Sequence, residues 1–464
     1  MVRTLSSPAD VPGHPVPSCR VRVTARRDAR RSHHWVLLGL ALLTAAAGTA
    51  TISTSNVHGF IDLDVYRLGV RQWLHGGDLY GTLPPTSVGV RLPFIYPPFA
   101  VIALSPLALI SWGVARMLTF GVSVAALAVT IYLSTRRLWP ARGPQGALVV
   151  SGFALPLTLW LEPVRETIGF GQVNLVLMML VAADCLLERP RWPRGLLVGI
   201  AAAIKLTPVV FLLYFLIRRD IRAAAVTVVS GALATAIGFA VLPRESMRYW
   251  FSGFAGAASL AGSPYATNQT VKAALVRLSL PRPVESGLWL LVAVTVLVLA
   301  VVGVWRAVNR SDAVLAMVIT GAAGLLLSPI SWSHHWVWIV PALLIMVIES
   351  MRTRSTHWII ATVVTMVVFY VGIPNFLPKR DGREFGWSPG EYLLGDSYVL
   401  LTLVLLIVWA APVWRAARAT PHRSPASPES RKRSGPQDPT HGARSAQRSV
   451  SERAVDEDVR LRGP

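Results

Sequence analysis

The chain has 464 residues, 53% hydrophobic and only 15% charged, with a mean hydropathy of +0.50 and a formal net charge of +21. A soluble protein of this size carries about 25% charged residues, so a water-soluble globular class is excluded. Nucleic-acid binding, the first reading of so positive a charge, is excluded as well. The basic residues gather in an N-terminal arm, in short loops between apolar stretches and in the C-terminal tail, where positive-inside topology puts them.

Apolar stretches of span length alternating with Arg-bearing loops predict an all-α polytopic membrane protein. Residues 1–33 form a basic cytoplasmic arm with Arg20, Arg22, Arg26, Arg27, Arg30 and Arg31. The arm is too long for a signal peptide, so Trp35–Ser53 reads as an uncleaved first span. It delivers Asp62 and Asp64 to the outer side. Ile95–Leu107 is short and carries Pro97, Pro98 and Pro106, so it is expected to dip in from outside without crossing. Ile110–Ser134 then runs inward to Arg136 and Arg137, Ala147–Leu161 outward, and Gly171–Leu187 inward to Arg189, Arg191 and Arg194.

Gly195–Ile217 has arginines at both ends and Lys205-Leu206-Thr207-Pro208 in the middle. A turn there makes two half-spans; one ordinary span that flouts the charge rule is the alternative. Ala223–Leu242 goes out and an outer loop, Arg244–Glu285, follows. Ser286–Trp305, Ala313–Pro329, Trp336–Ile348, Trp358–Ile373 and Tyr398–Val413 alternate from there. With half-spans counted separately this gives about twelve crossings and two cytoplasmic termini. One membrane domain covers 34–414, and the Pro-, Ser- and Arg-rich tail, 415–464, is expected to be disordered. The two cysteines, Cys19 and Cys185, should face reducing cytoplasm, with no disulfide and no Cys-based metal site.

This topology collects polar residues on the outer side. Charge at the edge of lipid is costly and marks functional candidates. Asp62 to Arg71 reads as a short surface helix with Asp62 near its positive end. Helical spacing puts Asp62 and Tyr66 on one face and turns Asp64 about 200° away. An N-cap with a solvated neighbour is the alternative for the two acids. His334 and His335 follow Pro329-Ile330-Ser331-Trp332. Adjacent helical positions do not share a face, so a two-histidine metal site is not expected. One histidine near an aspartate could orient the carboxylate or polarise a hydroxyl; an interfacial role beside Trp332, Trp336 and Trp338 is the alternative. Gln172, Asn174, Asn268 and Gln269 could grip sugar hydroxyls or glue helices together. Lys205, in an apolar run, needs an anion or a carbonyl partner.

In this order and placement, Asp62-Leu63-Asp64-Val65-Tyr66, Gly76-Gly77-Asp78-Leu79-Tyr80, Phe94-Ile95-Tyr96-Pro97-Pro98, Gly171-Gln172-Val173-Asn174, Ala203-Ile204-Lys205-Leu206-Thr207-Pro208, Asn268-Gln269 and Ser328-Pro329-Ile330-Ser331-Trp332-Ser333-His334-His335-Trp336 resemble the actinobacterial mannosyltransferases of glycosyltransferase family 87. The resemblance omits the N-terminal arm and the tail. It implies a GT-C membrane fold in the plasma membrane, with the active site on the extracytoplasmic face. It implies transfer of mannose from polyprenyl-phosphate-mannose to a mannosylated lipid acceptor (phosphatidylinositol mannoside, lipomannan or lipoarabinomannan) in an α-1,2 linkage. The family's catalytic Asp falls on Asp62, with Asp64 second, and its histidine falls on the pair His334-His335.

The chemistry agrees. The acceptor hydroxyl loses a proton to a carboxylate as it attacks the anomeric carbon. A single displacement from a β-linked mannosyl phosphate inverts to the α product. The departing phosphate needs cations, for which Arg67, Arg71, Arg165, Lys205 and a histidine are available. Tyr66, Tyr96, Gln172, Asn174, Asn268, Gln269 and Lys272 complete the expected substrate contacts. No cofactor is implied, and a divalent cation stays open. No glycine-rich phosphate loop or nucleotide-binding signature appears. A pentose donor remains open within this reading; outside it the alternative is a transporter or flippase of lipid-linked sugars, though no inverted repeat is visible.

Overall fold

The computed structural model describes residues 58–252 and 262–411, with scattered helical positions between 39 and 50. All of these lie in one contact unit, Met1–Ala416. The N-terminal arm, most of the span Trp35–Ser53, Cys19 and the tail from 415 onward lie outside the described residues. The described residues are helical and form no strand beyond one isolated antiparallel bridge, Asn268 to Trp332.

In chain order the helices are α1 (Ile61–Leu74), α2 (Pro98–Leu109), α3 (Trp112–Leu138), α4 (Gly143–Leu159), α5 (Glu162–Phe170), α6 (Asn174–Leu186), α7 (Leu196–Ile204) and α8 (Phe211–Ile217). They continue as α9 (Ile221–Val241), α10 (Pro243–Phe251), α11 (Val271–Arg277), α12 (Arg282–Asn309), α13 (Ala313–Leu327), α14 (Ile339–Thr353), α15 (Thr356–Val371), α16 (Pro389–Gly395) and α17 (Ser397–Ala410). Their ends follow ordinary capping chemistry. Ser111, Asp220 and Asp312 each accept a backbone N–H at the start of α3, α9 and α13. Ser388 and Glu391 make a reciprocal capping box on α16.

Four helices among the described residues are long and apolar enough to cross a membrane: Trp112–Leu138, Ile221–Val241, Arg282–Asn309 and Ser333–Thr353. The count rises to six if each of two bent pairs makes one span. The protein is therefore an all-helical membrane protein. Crossing alone takes about 20 residues, and α2, α6, α13 and α15 have 12, 13, 15 and 16. Length and composition thus stop short of twelve crossings, because the chain uses short and bent helices around an interior. One bend, of 72°, separates Pro140–Leu159 from Glu162–Phe170, where Pro163 suits the first turn of a new helix.

Segment 195–217 folds back on itself. At its start, the backbone N–H groups of Gly195 and Val198 donate to the Asp184 carboxylate at 3.1 and 2.9 Å. At its end, Tyr214 donates to the Cys185 carbonyl at 3.3 Å and accepts from Arg218 at 3.0 Å. Both ends therefore meet the same end of α6, and the turn lies at Lys205-Leu206, where α7 stops and Pro208 opens the next helical turn. Arg137 joins that end by pairing with Glu188 at 2.7 Å, and Arg194 by donating to the Asp184 and Leu187 carbonyls. The 13 residues of α6 set this arginine-rich end roughly 20 Å from Asn174, at the helix's other end.

The large hydrophobic core runs through α3, α6, α13 and α14, with Leu127, Met178, Met317, Leu326 and Met346 fully buried. A second cluster lies under α1, where Val65, Tyr66 and Val70 pack on Leu79, Phe94, Tyr96, Val101 and Leu104. It fixes α1 against the segment that leads into α2.

Candidate active site

The site lies at the Asn174 end of α6 and grows from a constrained backbone. Gly59 and Phe60 both hold positive φ, 62° and 53°. The N-cap of α1 is Phe60, whose side chain caps nothing. Asp62, in the first turn, is thus not the capping residue. Phe60 is buried, its N–H donates to the Gly169 carbonyl at 3.1 Å, and Arg116 lies 4.8 Å over its ring. Gly171 ends α5 in the left-handed region (φ 70°), and a Cβ there would come within 2.7 Å of the Leu63 side chain. Only glycine lets the corner between α5 and α6 approach α1 this closely.

That approach puts Gln172 beside the first acid. Tyr66 donates to Gln172 Oε1 at 2.8 Å, Gln172 Nε2 donates to the Tyr96 hydroxyl at 2.8 Å, and the two tyrosine hydroxyls are 3.1 Å apart. Asp62 sits one helical turn before Tyr66 and is half-buried. Burial pushes its carboxyl up to about 6, against the pull of a hydrogen bond from Gln172 and of the Lys205 ammonium. Such a group is ionised at neutral pH yet basic enough to take a proton from a reacting hydroxyl. Asp64 points elsewhere, as helical spacing requires, and accepts the Ser87 backbone N–H at 2.7 Å.

A cationic half faces this carboxylate. Lys205, at the tip of the folded-back segment, donates to Asn174 Oδ1 at 2.9 Å, contacts His335 Nε2 at 3.1 Å and lies 5.6 Å over the Tyr96 ring. With Lys205 as donor, His335 Nε2 is an acceptor, which leaves the ring proton on Nδ1. His334 is buried, its ring 4.7 Å from that of His335 at 87° and 4.9 Å from Phe170. His334 Nε2 and His335 Nδ1 are buried without hydrogen-bond partners among the described residues. Beside Lys205, His335 and Asn174 opens a cavity of about 40 Å³ whose other walls include the apolar Leu177, Met178, Phe211 and Trp338. A cation and two polar side chains beside an apolar wall suit a small anionic group.

Comparison with known proteins gives this arrangement its family. The profile of glycosyltransferase family 87 matches residues 94–329. A polyprenol-phosphate-mannose-dependent α-(1-2)-phosphatidylinositol mannoside mannosyltransferase of Mycobacterium tuberculosis is 36% identical over 401 residues, 84% of this chain and 93% of the relative. The protein of the same description from Mycolicibacterium smegmatis is 38% identical over 367 residues, 75% of this chain and 83% of the relative. A polyprenol-phosphate-mannose-dependent α-(1-2)-phosphatidylinositol pentamannoside mannosyltransferase of M. tuberculosis is 34% identical over 423 residues, 88% of this chain and 93% of the relative.

The chain belongs to glycosyltransferase family 87.

In this family 87 glycosyltransferase, other residues expected to touch substrate are occupied elsewhere. Arg67 is buried; it donates to the Leu107 carbonyl and, at 3.0 Å, to that of Ile110, and lies 5.4 Å over Trp112. Arg71 reaches the Ala108 carbonyl at 3.4 Å. Both arginines serve carbonyls around the C-terminus of α2, where positive charge is favourable. Arg165 lies 3.7 Å from Glu166, and Lys272 pairs with Glu285. Asn268 accepts from Ser331 N at 3.0 Å and donates to the Ser263 carbonyl at 2.9 Å. Gln269 donates to the carbonyls of Ala266 and Gly395 at 2.7 and 2.6 Å. Asn268 thus clamps the backbone just ahead of His334, while Gln269 ties its own turn to Gly395 and keeps a buried Oε1 without a hydrogen-bond partner among the described residues.

Sequence reasoning missed three residues. Thr167 is fully buried and donates to the His334 carbonyl at 2.6 Å, and Asn174 Nδ2 reaches the same oxygen at 3.0 Å. Glu162, also fully buried, accepts from Asn375 at 2.7 Å and Tyr398 at 2.8 Å, and so joins α5 to the C-terminal helices. His58 pairs with Glu166 at 3.0 Å. The charges in Glu162-Pro163-Val164-Arg165-Glu166 were the only local signal for this group, and nothing local marked Thr167.

Proposed function

We propose that the protein transfers mannose from polyprenyl-phosphate-mannose to a mannosylated phosphatidylinositol acceptor, with inversion to an α-1,2 linkage and with Asp62 as general base. The relatives' donor and acceptor supply the substrate classes. The observation that carries the mechanism is the half-buried Asp62 carboxyl, held near 6 and faced by Lys205. The acceptor hydroxyl hydrogen-bonds to Asp62 and gives up its proton as its oxygen attacks the anomeric carbon. The bond to the lipid phosphate breaks on the opposite face. The phosphate leaves as an anion and needs no protonating acid, only the Lys205 ammonium and a donated hydrogen bond from the histidine pair.

In this reading the fold is of the GT-C type and the enzyme sits in the plasma membrane. The end of α6 ringed by Arg137, Arg194 and Arg218 faces the cytoplasm, and the Asp62 end faces outward. Both chain termini are then cytoplasmic.

The test is to incubate purified protein in detergent or nanodiscs with labelled polyprenyl-phosphate-mannose and a panel of phosphatidylinositol mannosides, lipomannan and lipoarabinomannan, with and without a chelator. Labelled mannose on a phosphatidylinositol mannoside supports the reading. Release or transfer of sugar with none of these acceptors rejects the acceptor class. Donor carried across a vesicle with its sugar bond intact rejects the enzyme in favour of a transporter.

A further inference from the structure

The base and the histidine pair come from distant parts of the chain, and both halves of the site are tied to one short stretch. The last turn of α5 supplies the Gly169 carbonyl that accepts the Phe60 N–H, which fixes the start of α1 and with it Asp62. The same turn supplies the Thr167 hydroxyl, which donates at 2.6 Å to the His334 carbonyl. The chain then turns at Gly171 and begins α6 with Asn174. Asn174 binds the same His334 carbonyl at 3.0 Å through Nδ2 and holds Lys205 at 2.9 Å through Oδ1. A single carbonyl taking two side-chain donors is fixed in both direction and distance, since both lone-pair positions are filled. Thr167 is fully buried, and no solvent competes for its hydroxyl.

We infer that Thr167 is a positioning residue for the glycosyl transfer: through the His334 carbonyl it holds the histidine turn at a set distance from Asp62, with the last turn of α5 as the spacer. The inference rests on the reading of Asp62 and the histidine pair as opposite sides of the reacting centre. The His334 ring packs against Phe170, on the same turn as Thr167, so a twist of the His334 peptide moves the ring relative to Asp62. A displacement of about 1 Å at a reacting centre costs up to a hundredfold in rate.

The experiment is a double-mutant cycle on the full chain in nanodiscs, read as single-turnover transfer from labelled donor at saturating acceptor, with melting temperature followed in parallel. Thr167→Val keeps the shape and removes the hydroxyl; Thr167→Ser restores it. The expected result is a loss of roughly 10- to 100-fold for Thr167→Val, with Thr167→Ser within about threefold of wild type. In a His334→Ala/His335→Ala background the same Thr167→Val change should cost less than about twofold, because both rings on the turn it positions are gone. An equal loss in both backgrounds, or none in the wild-type background, overturns the inference. If Thr167→Val does not fold, Thr167→Ala replaces it in the same cycle. The two readings fail separately. Full transfer by Asp62→Asn rejects the base and leaves the Thr167–His334 coupling to be read from the cycle. Full transfer by the His334→Ala/His335→Ala variant rejects the positioning role and leaves Asp62 untouched.

Discussion

Asp62→Asn separates catalysis from stability in a way that only a buried base would. The folded protein holds the Asp62 carboxyl near 6 against an ordinary 3.8, so it binds that proton more tightly than the unfolded chain does. The resulting stability is fully present below 3.8 and is lost as pH rises through 6. At neutral pH, keeping the charge costs the folded state on the order of 3 kcal/mol. Asn retains the shape and the acceptor oxygen for Gln172 but carries no charge. The variant should therefore melt higher than wild type at pH 8, by roughly 3 °C for a chain of this length. That gain should shrink toward zero near pH 4, where the wild-type acid is itself neutral. Transfer should meanwhile fall about 10²- to 10⁴-fold, the usual worth of a general base. Paired melting curves at pH 4 to 8 and a radiolabel transfer assay in nanodiscs measure both. A variant that transfers at the wild-type rate, or whose melting difference ignores pH, refutes the reasoning.

Asp64→Asn should stay within about threefold of wild-type transfer and lose no more than roughly 1 kcal/mol in stability, because its oxygen can still accept the Ser87 N–H; parallel assays with Asp62→Asn give the contrast. Lys205→Met removes a cation that pulls the Asp62 carboxyl down, so the acid limb of kcat/KM should move above pH 6. Its kcat should fall as well, since the departing phosphate loses its partner, and an unshifted limb in a full pH profile would separate Lys205 from the base. Gly171→Ala combines positive φ with a Cβ 2.7 Å from the Leu63 side chain. It should cost about 1–3 kcal/mol in a thermal or denaturant assay and lower transfer by displacing α1, whereas a wild-type melting point would show that the close approach of α5 to α1 does not depend on glycine here.

The sequence is most legible where a rule is local. Helical spacing separates Asp62 from Asp64, and the structure sends the two carboxyls to different partners, Gln172 and Ser87. Lys205 followed by Pro208 announces a break, and both ends of that segment meet one end of α6. Arg67, Asn268 and Gln269, expected from residue type to touch substrate, bond backbone groups of this chain in the structure. Residue type and exposure to the outer side said that each needed a polar partner, and the partners turned out to be backbone groups of this chain. A buried backbone carbonyl or N–H demands a partner as strongly as a sugar hydroxyl does, and a sequence shows no difference between the two demands.

The amino-acid order alone determined that the protein lies in a membrane, which stretches make its apolar helices, and which acid shares a face with Tyr66. These follow from composition and from a period of 3.6 residues, which act over a few turns. Tertiary structure alone decided what each face meets: Lys205 finds His335 at a separation of 130 residues, Gln269 finds Gly395 at 126 and Thr167 finds His334 at 167. Such pairings depend on how whole helices pack, and packing is settled by the fit of many side chains at once, so no short stretch of the chain carries it.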